Sequence, residues 1–274
     1  MVLFPYCKIN IGLDILYRRA DGFHEIETAM FPVHGLCDIV EMVKQEGLGI
    51  EFTTSGLAVD CPADKNLCVK AYKLMASRFG IGGVRMHLHK IIPFGAGLGG
   101  GSADAAFTIR GLNQLFGLGL DTAAMESLAA ELGSDTAFFI RDTPQLAQGR
   151  GEKLTPLAMS LSGKTLVIVK PSGINISTAE AYSGVHPLTQ TLQLAERLAG
   201  DIATWKDRVV NGFEENIFGV HPDLAAIKEK LYSLGAIYAS MSGSGSAIYG
   251  IFDKQPSHIS VQFPDAFLHQ EFIA

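Results

Sequence analysis

This 274-residue chain has no long apolar run, no paired cysteines and no excess of positive charge. No uninterrupted apolar stretch approaches the roughly 20 residues of a membrane-spanning helix, so no membrane span is predicted. Pro5 interrupts the very short apolar run at the start, which predicts no secretory signal. The four cysteines (Cys7, Cys37, Cys61 and Cys68) form no C-x-x-C pair and have no histidine partner at zinc spacing. They read as reduced thiols filling the core of a cytoplasmic protein. Lys and Arg number 22 against 28 Asp and Glu, a net charge of −6. This argues against nucleic-acid binding, whose electrostatic footprint is a basic surface. It leaves room for a single nucleotide, because a nest of backbone N–H groups binds phosphate without net positive charge. Internal repeats and low-complexity segments are also missing.

What is present suits a globular chain. Hydrophobic residues make up 47% and charged residues 18%, enough apolar material for one large domain or two small ones. A composition shift over 141–163 divides the chain into 1–150 and 151–274. Residues 6–16 alternate, with Cys7, Ile9, Ile11, Leu13 and Ile15 on one side and Lys8, Asn10, Gly12 and Asp14 on the other. From periodicity alone, Lys8 and Asn10 occupy a solvated strand face. Asp21-Gly22 turns that strand back into 23–33. Residues 37–43 and 48–54 read as a strand pair, 66–79 as a helix and 84–89 as a strand carrying His87 and His89 on one face. Asp121 caps a helix over 122–132 that stops at Gly133, which leaves Asp135 to open the next element. The bland role for Asp135 is an N-cap. A strand at 164–170, a helix opening at Thr178 and a helix over 221–234 follow.

Five of the nine residues from Gly95 to Ala103 are glycine. Glycine loses the most backbone entropy on folding, so such a cluster needs a reason, and close approach of backbone N–H groups to phosphate supplies one. Ser102 is predicted to cap a helix that starts at Ala103, so loop and helix N-terminus together form an anion site. The dinucleotide fingerprint G-x-G-x-x-G is met only literally: no acidic residue ends a second strand about twenty residues later. A nicotinamide-dependent oxidoreductase is therefore disfavoured. A P-loop is excluded, because Ala158 stands where Ser162-Gly163-Lys164-Thr165 requires its first glycine. A second cluster of small residues, Ser240 to Ser246, follows the same logic of close backbone approach but is a weak signal alone.

The longer string Pro93-Phe94-Gly95-Ala96-Gly97-Leu98-Gly99-Gly100-Gly101-Ser102-Ala103-Asp104-Ala105-Ala106 resembles the second motif of the GHMP kinases. Further segments extend the likeness over nearly the whole chain: 7–13, 19–28, 132–139, 174–182 and 241–246. The Asp21-Gly22-Phe23-His24 segment resembles the branch acting on a cytidine-diphosphate-linked methylerythritol. Two departures stand out, Phe23 where Tyr is more frequent and Gly212 where Asp is.

The resemblance implies an α+β fold of two lobes with the active site in the cleft between them. It implies phosphorylation of a tertiary alcohol by ATP with Mg2+, whose ligands the sequence leaves unassigned. Asp135 would be the general base and Lys8 its charge partner. ATP would be held by Asn66 near the adenosine and by Pro93, Gly95, Ala96, Gly97, Leu98, Gly99, Gly100, Gly101, Ser102 and Ala103. The acceptor would meet Asn10, Phe23, His24, Asp135, Thr178 and Tyr182, with Phe23 and Tyr182 stacking on the base and His24 reading its edge. A mevalonate- or homoserine-type kinase would share the loop without needing a cytosine site. A non-catalytic nucleotide-binding module would not need both Lys8 and Asp135.

Overall fold

The computed structural model describes residues 1–58, 61–185, 187 and 193–274. In chain order the elements are β1 (Val2–Leu3), β2 (Tyr6–Arg18), β3 (His24–Cys37), β4 (Ile39–Gln45), β5 (Ile50–Gly56), α1 (Leu67–Phe79), β6 (Gly83–Lys90), α2 (Gly100–Phe116) and α3 (Thr122–Ala130). They continue with β7 (Gln145–Gly149), β8 (Lys153–Pro156), β9 (Thr165–Pro171), α4 (Thr178–Ser183), α5 (Leu194–Leu198), α6 (Glu214–Val220), α7 (Pro222–Ser233), β10 (Tyr238–Met241), β11 (Ile248–Phe252), α8 (Ile259–Gln262) and β12 (Ala266–Phe272). The mixture is α+β.

Two compact units share these elements. One comprises Met1–Lys8, Pro32–Phe94 and Gly99–Asp142; the other comprises Ile9–Phe31, Gly95–Leu98 and Thr143–Ala274. In this division Ile9–Phe31 and Gly95–Leu98 fold with the later part of the chain.

In the first unit a four-stranded sheet has the order β1-β4-β6-β5. The segments 37–43 and 48–54 are strands as expected, but they do not pair with each other. β6 lies between them, antiparallel to β4 and parallel to β5. Turn signals in 45–47 are consistent with an adjacent hairpin, and only the competing pairing with β6 overrides them. Helix α1 begins where Asn66 Oδ1 accepts the Cys68 N–H at 2.9 Å and stops at Gly80, which adopts φ 62°. Helix α2 lies close to the sheet: a Cβ on Gly111 would stand 2.6 Å from Leu3 Cδ1 and 2.8 Å from Met42 Cε. Asp121 caps α3 as its sequence predicts.

In the second unit a sheet of order β10-β11-β9-β12 is antiparallel throughout. Its inner residues Val167, Val169, Met241 and Ile248 pack with Leu224 and Leu231 of α7 and with Leu13 and Ile15 of β2. Strand β2 also overturns its own periodicity. The odd residues are buried as expected, yet Lys8 and Asn10 are 2% and 3% exposed. The supposed solvated face is covered, so a buried ammonium and a buried amide both need partners. Of the cysteines, Cys7 and Cys68 are core residues while Cys37 and Cys61 are partly exposed, and all four stand outside any disulfide.

Candidate active site

The glycine-rich segment contributes to both units. In the first unit α2 starts at Gly100, capped by Gly99 at φ 71°, and Ala103 N–H closes the first turn on Gly99 C=O at 2.9 Å. Ser102 is therefore not the cap that the sequence suggests. It sits in the first turn, because Gly99 can take the left-handed conformation that ends the loop three residues earlier. The N–H groups of Gly100, Gly101 and Ser102 are left without intrahelical acceptors at the positive end of a 17-residue helix, an arrangement suited to an anion. A side chain at Gly99 has no space, since its Cβ would lie 2.8 Å from Phe139 Cζ and 3.2 Å from Lys8 Cε.

Lys8 and Asp135 meet within this unit. Lys8 Nζ is 3.4 Å from Asp135 Oδ2. Asp135 is not used as a cap: the 3-10 turn Ala137–Ile140 begins after Thr136 with no side-chain cap bond. Its carboxylate, 34% exposed beside an ammonium only 3% exposed, can meet a ligand while its counter-charge stays shielded from water.

A cavity of about 250 Å³ in the same unit is bordered by Asn66, Leu67, Leu88, Phe94 and Gly101, so the structure brings together two residues expected at ATP. Lys90 and Asp104 also border it, and neither was singled out from the sequence. Lys90 Nζ donates to Asp38 Oδ2 at 2.5 Å and to Asp104 Oδ2 at 2.8 Å, while Asp38 Oδ1 accepts from the Ile91 and Ile92 N–H groups at 2.6 and 2.8 Å. The network ties the end of β6 to the first turns of α2. Burial pushes the Asp104 carboxyl up to about 8; Lys90 opposes that shift and Asp38 adds to it. Burial works against the Lys90 ammonium, but Asp104 and Asp38 outweigh it and hold its pKa above the ordinary lysine value. A signal for Lys90 existed. It falls on the buried phase of β6 with Val84, Met86 and Leu88.

In the second unit Gly95–Leu98 lies against the small-residue turn that follows β10. A Cβ on Gly97 would fall 1.9 Å from the Ser242 carbonyl oxygen, and Ala247 N–H donates to Ala96 C=O at 3.1 Å. The Asn10 side-chain amide donates to Thr28 Oγ1 at 3.0 Å, and Thr28 Oγ1 donates to Gly12 C=O at 2.6 Å.

The aromatic residues arrange differently from the expected sandwich. His24 stacks directly on Tyr182, with ring centroids 4.7 Å apart and planes 14° from parallel. Phe213 meets Tyr182 edge-on at 4.8 Å. Phe23 is 55% exposed, with the Arg150 guanidinium 5.0 Å above its ring. Thr178 opens α4 one helical turn before Tyr182, on the same helix face. Lys170 Nζ braces the approach to α4, donating to Pro171 C=O, Ile174 C=O and Asn175 Oδ1 at 3.0–3.1 Å, and burial lowers its pKa. His87 and His89 are bonded to the hydroxyls of Thr53 and Ser55 at 2.8 Å. Among the described residues no group of three or more His, Cys, Asp or Glu side chains could hold a metal ion, and no helix is long and apolar enough to cross a membrane.

A glycine-rich loop leading into a helix, a Lys–Asp pair and an α+β fold are features of a small-molecule kinase, and the comparisons agree. The GHMP kinases N terminal domain matches residues 66–142 and the GHMP kinases C terminal domain matches 191–266. The chain belongs to the GHMP kinase family. It is 44% identical to the 4-diphosphocytidyl-2-C-methyl-D-erythritol kinase of Parabacteroides distasonis, covering 98% of each chain. A crystal structure of 4-(cytidine 5'-diphospho)-2C-methyl-D-erythritol kinase superposes with a TM-score of 0.82 at 30% identity, covering 98% of each chain. Homoserine kinase from Cytophaga hutchinsonii shares the fold at TM-score 0.69 and 18% identity, covering 97% of this chain and 93% of its own.

Proposed function

We propose that this chain transfers the γ-phosphoryl group of ATP, supplied as its Mg2+ complex, to the 2-hydroxyl of 4-diphosphocytidyl-2-C-methyl-D-erythritol, a step of non-mevalonate isoprenoid precursor biosynthesis. The observation that carries the reading is the Lys8–Asp135 pair: a partly exposed carboxylate not engaged in capping, held beside a buried ammonium. Asp135 accepts the hydroxyl proton as the alcohol oxygen bonds to the γ-phosphorus and the bond to the bridging oxygen of ADP breaks. Such a base contributes about 10²–10⁴-fold to rate. Lys8 keeps Asp135 ionised and offsets negative charge on the group in transit. The N–H groups of Gly100–Ser102 hold phosphate oxygens, Gly95–Leu98 completes the loop, and Asn66 borders the adenosine. Magnesium would be held chiefly by the nucleotide phosphates, a mode that needs only one or two protein carboxylates.

Identity of 44% over 98% of the chain to a kinase named for this acceptor supports the substrate over mevalonate or homoserine. Tyr182 and Phe23 would offer aromatic faces to the cytosine once His24, which stacks on Tyr182, turns to meet the base edge, and Asn10 and Thr178 would add polar contacts. With the family domains matching 66–142 and 191–266, residues 1–150 are assigned as the lobe of the ATP loop and catalytic pair, and 151–274 as the second lobe. Four cysteines outside any disulfide favour a cytoplasmic setting. The test is ATP consumption by the purified chain with this substrate, with mevalonate and homoserine as controls. Turnover with the cytidine compound alone is expected. Turnover with a control instead would keep the family and discard the acceptor.

A further inference from the structure

Ser242 is fully buried, and its one hydroxyl serves two segments. Oγ accepts the Asn10 backbone N–H at 3.1 Å and donates to Gly97 C=O at 2.9 Å. Gly97 belongs to the loop assigned to nucleotide, and Asn10 is assigned to the acceptor. The surrounding bonds leave this serine little freedom. Asn211 Nδ2 donates to Met241 C=O and Gly243 C=O, both at 2.8 Å, on either side of Ser242. Glu214 Oε1 accepts from Ser240 Oγ at 3.0 Å and Met241 N–H at 2.8 Å. On the far side, Tyr249 O–H donates to Asn10 C=O at 2.9 Å. The backbone of Asn10 is thus held at both its N–H and its C=O, and the N–H contact leads straight to the nucleotide loop.

We infer that Ser242 is a positioning residue that couples the loop Gly95–Leu98 to Asn10, so that nucleotide and acceptor each strengthen the other's binding; this rests on the function proposed above. The physical reason is that a buried hydroxyl with a single proton and a fixed backbone cannot follow one partner without straining its bond to the other. A nucleotide that fixes Gly97 therefore fixes the Asn10 N–H. By linkage the effect is reciprocal. The Ser240 hydroxyl, two residues away and equally buried, bonds instead to Glu214 Oε1 at 3.0 Å and Met241 C=O at 3.5 Å and provides the matched control.

The experiment is calorimetric titration of the full chain with the Mg2+ complex of a non-hydrolysable ATP analogue, with and without saturating 4-diphosphocytidyl-2-C-methyl-D-erythritol. The wild type should show mutual tightening within the usual span of roughly 5–150-fold. Ser242→Ala should bring the ratio to within about 2-fold of unity, Ser242→Thr should restore part of it by keeping the hydroxyl, and Ser240→Ala should retain it. Coupling retained in Ser242→Ala, or lost equally in Ser240→Ala, overturns the inference. Hydrogen exchange on the wild type needs no variant to fold: the nucleotide analogue alone should increase protection at Asn10, and unchanged protection also overturns it. Binding of both ligands with no mutual effect would sink the coupling alone. Failure to bind the cytidine compound while binding nucleotide would sink the acceptor assignment, and the coupling with it.

Discussion

Lys8 Nζ stands 3.4 Å from Asp135 Oδ2, a buried cation against a carboxylate that keeps about a third of its surface open. If Asp135 is the base, Asp135→Asn should lower kcat by about 10²–10⁴-fold while leaving KM for ATP nearly unchanged. Lys8→Met should lower kcat as well. The double variant should cost less than the product of the two single losses, because the residues act as a unit. Steady-state kinetics on the four proteins decides it, and fully multiplicative losses would separate the two roles.

Gly97 and Gly101 should respond oppositely to alanine. At Gly97 the new Cβ would meet the Ser242 carbonyl oxygen at 1.9 Å in a backbone with φ +72°, so Gly97→Ala should lower the melting temperature and weaken nucleotide binding. At Gly101 the nearest atom is Leu67 Cδ1 at 3.6 Å, an ordinary contact. There, replacing a helical glycine should preserve stability or raise it by about 0.5–1 kcal/mol. Thermal melts of both variants provide the comparison.

Asp104 gives the stability a pH slope. Its folded pKa lies near 8, above the ordinary 3.8, so the folded state holds a proton that the unfolded chain has lost. The corresponding stability is complete below pH 3.8 and declines as pH rises through about 8. Denaturant titrations from pH 5 to 8 should show that slope in the wild type and a flatter profile in Asp104→Asn. Parallel profiles would contradict it.

Asn66 combines a helix cap with a place on the cavity wall. Asn66→Ala should cost about 1 kcal/mol of stability through the lost cap and also raise KM for ATP. Asn66→Asp keeps a capping oxygen, so it should restore stability while leaving a new negative charge beside the nucleotide. Melting temperature and KM(ATP) measured together separate the two roles.

Tyr182→Ala should raise KM for the cytidine substrate by roughly 5–150-fold, the equivalent of about 1–3 kcal/mol of base stacking, with KM(ATP) little changed. Because His24 stacks on Tyr182, the same variant should also release His24, and its loss should not add fully to that of His24→Ala. Kinetics with the acceptor varied checks both.

Much of this arrangement could be read from the chain. Alternation located β2 and β6, an apolar stripe located α1, the cap at Asp121 located the start of α3, and the family resemblance links Lys8 with Asp135. Most of the differences have nonlocal causes. The separation of β4 from β5 depends on β6 inserting between them, which no local turn signal reports. The burial of Lys8 and Asn10 depends on groups far along the chain. The start of α2 was misplaced because capping preferences favour Ser102 over a left-handed Gly99. The Asp38–Lys90–Asp104 network was missed although Lys90 lies on an apolar phase, because its two acids come from different elements.

The Ser242 carbonyl fills the volume where a side chain at position 97 would project. Two stretches 145 positions apart are therefore one mechanical part with a shared tolerance. A mutational library that varies either stretch alone omits the combinations in which both change together. In a chimera assembled from this chain and a relative, the sensitive seam would run through this contact. Exchange of either stretch between relatives should therefore succeed only when both are moved as a cassette.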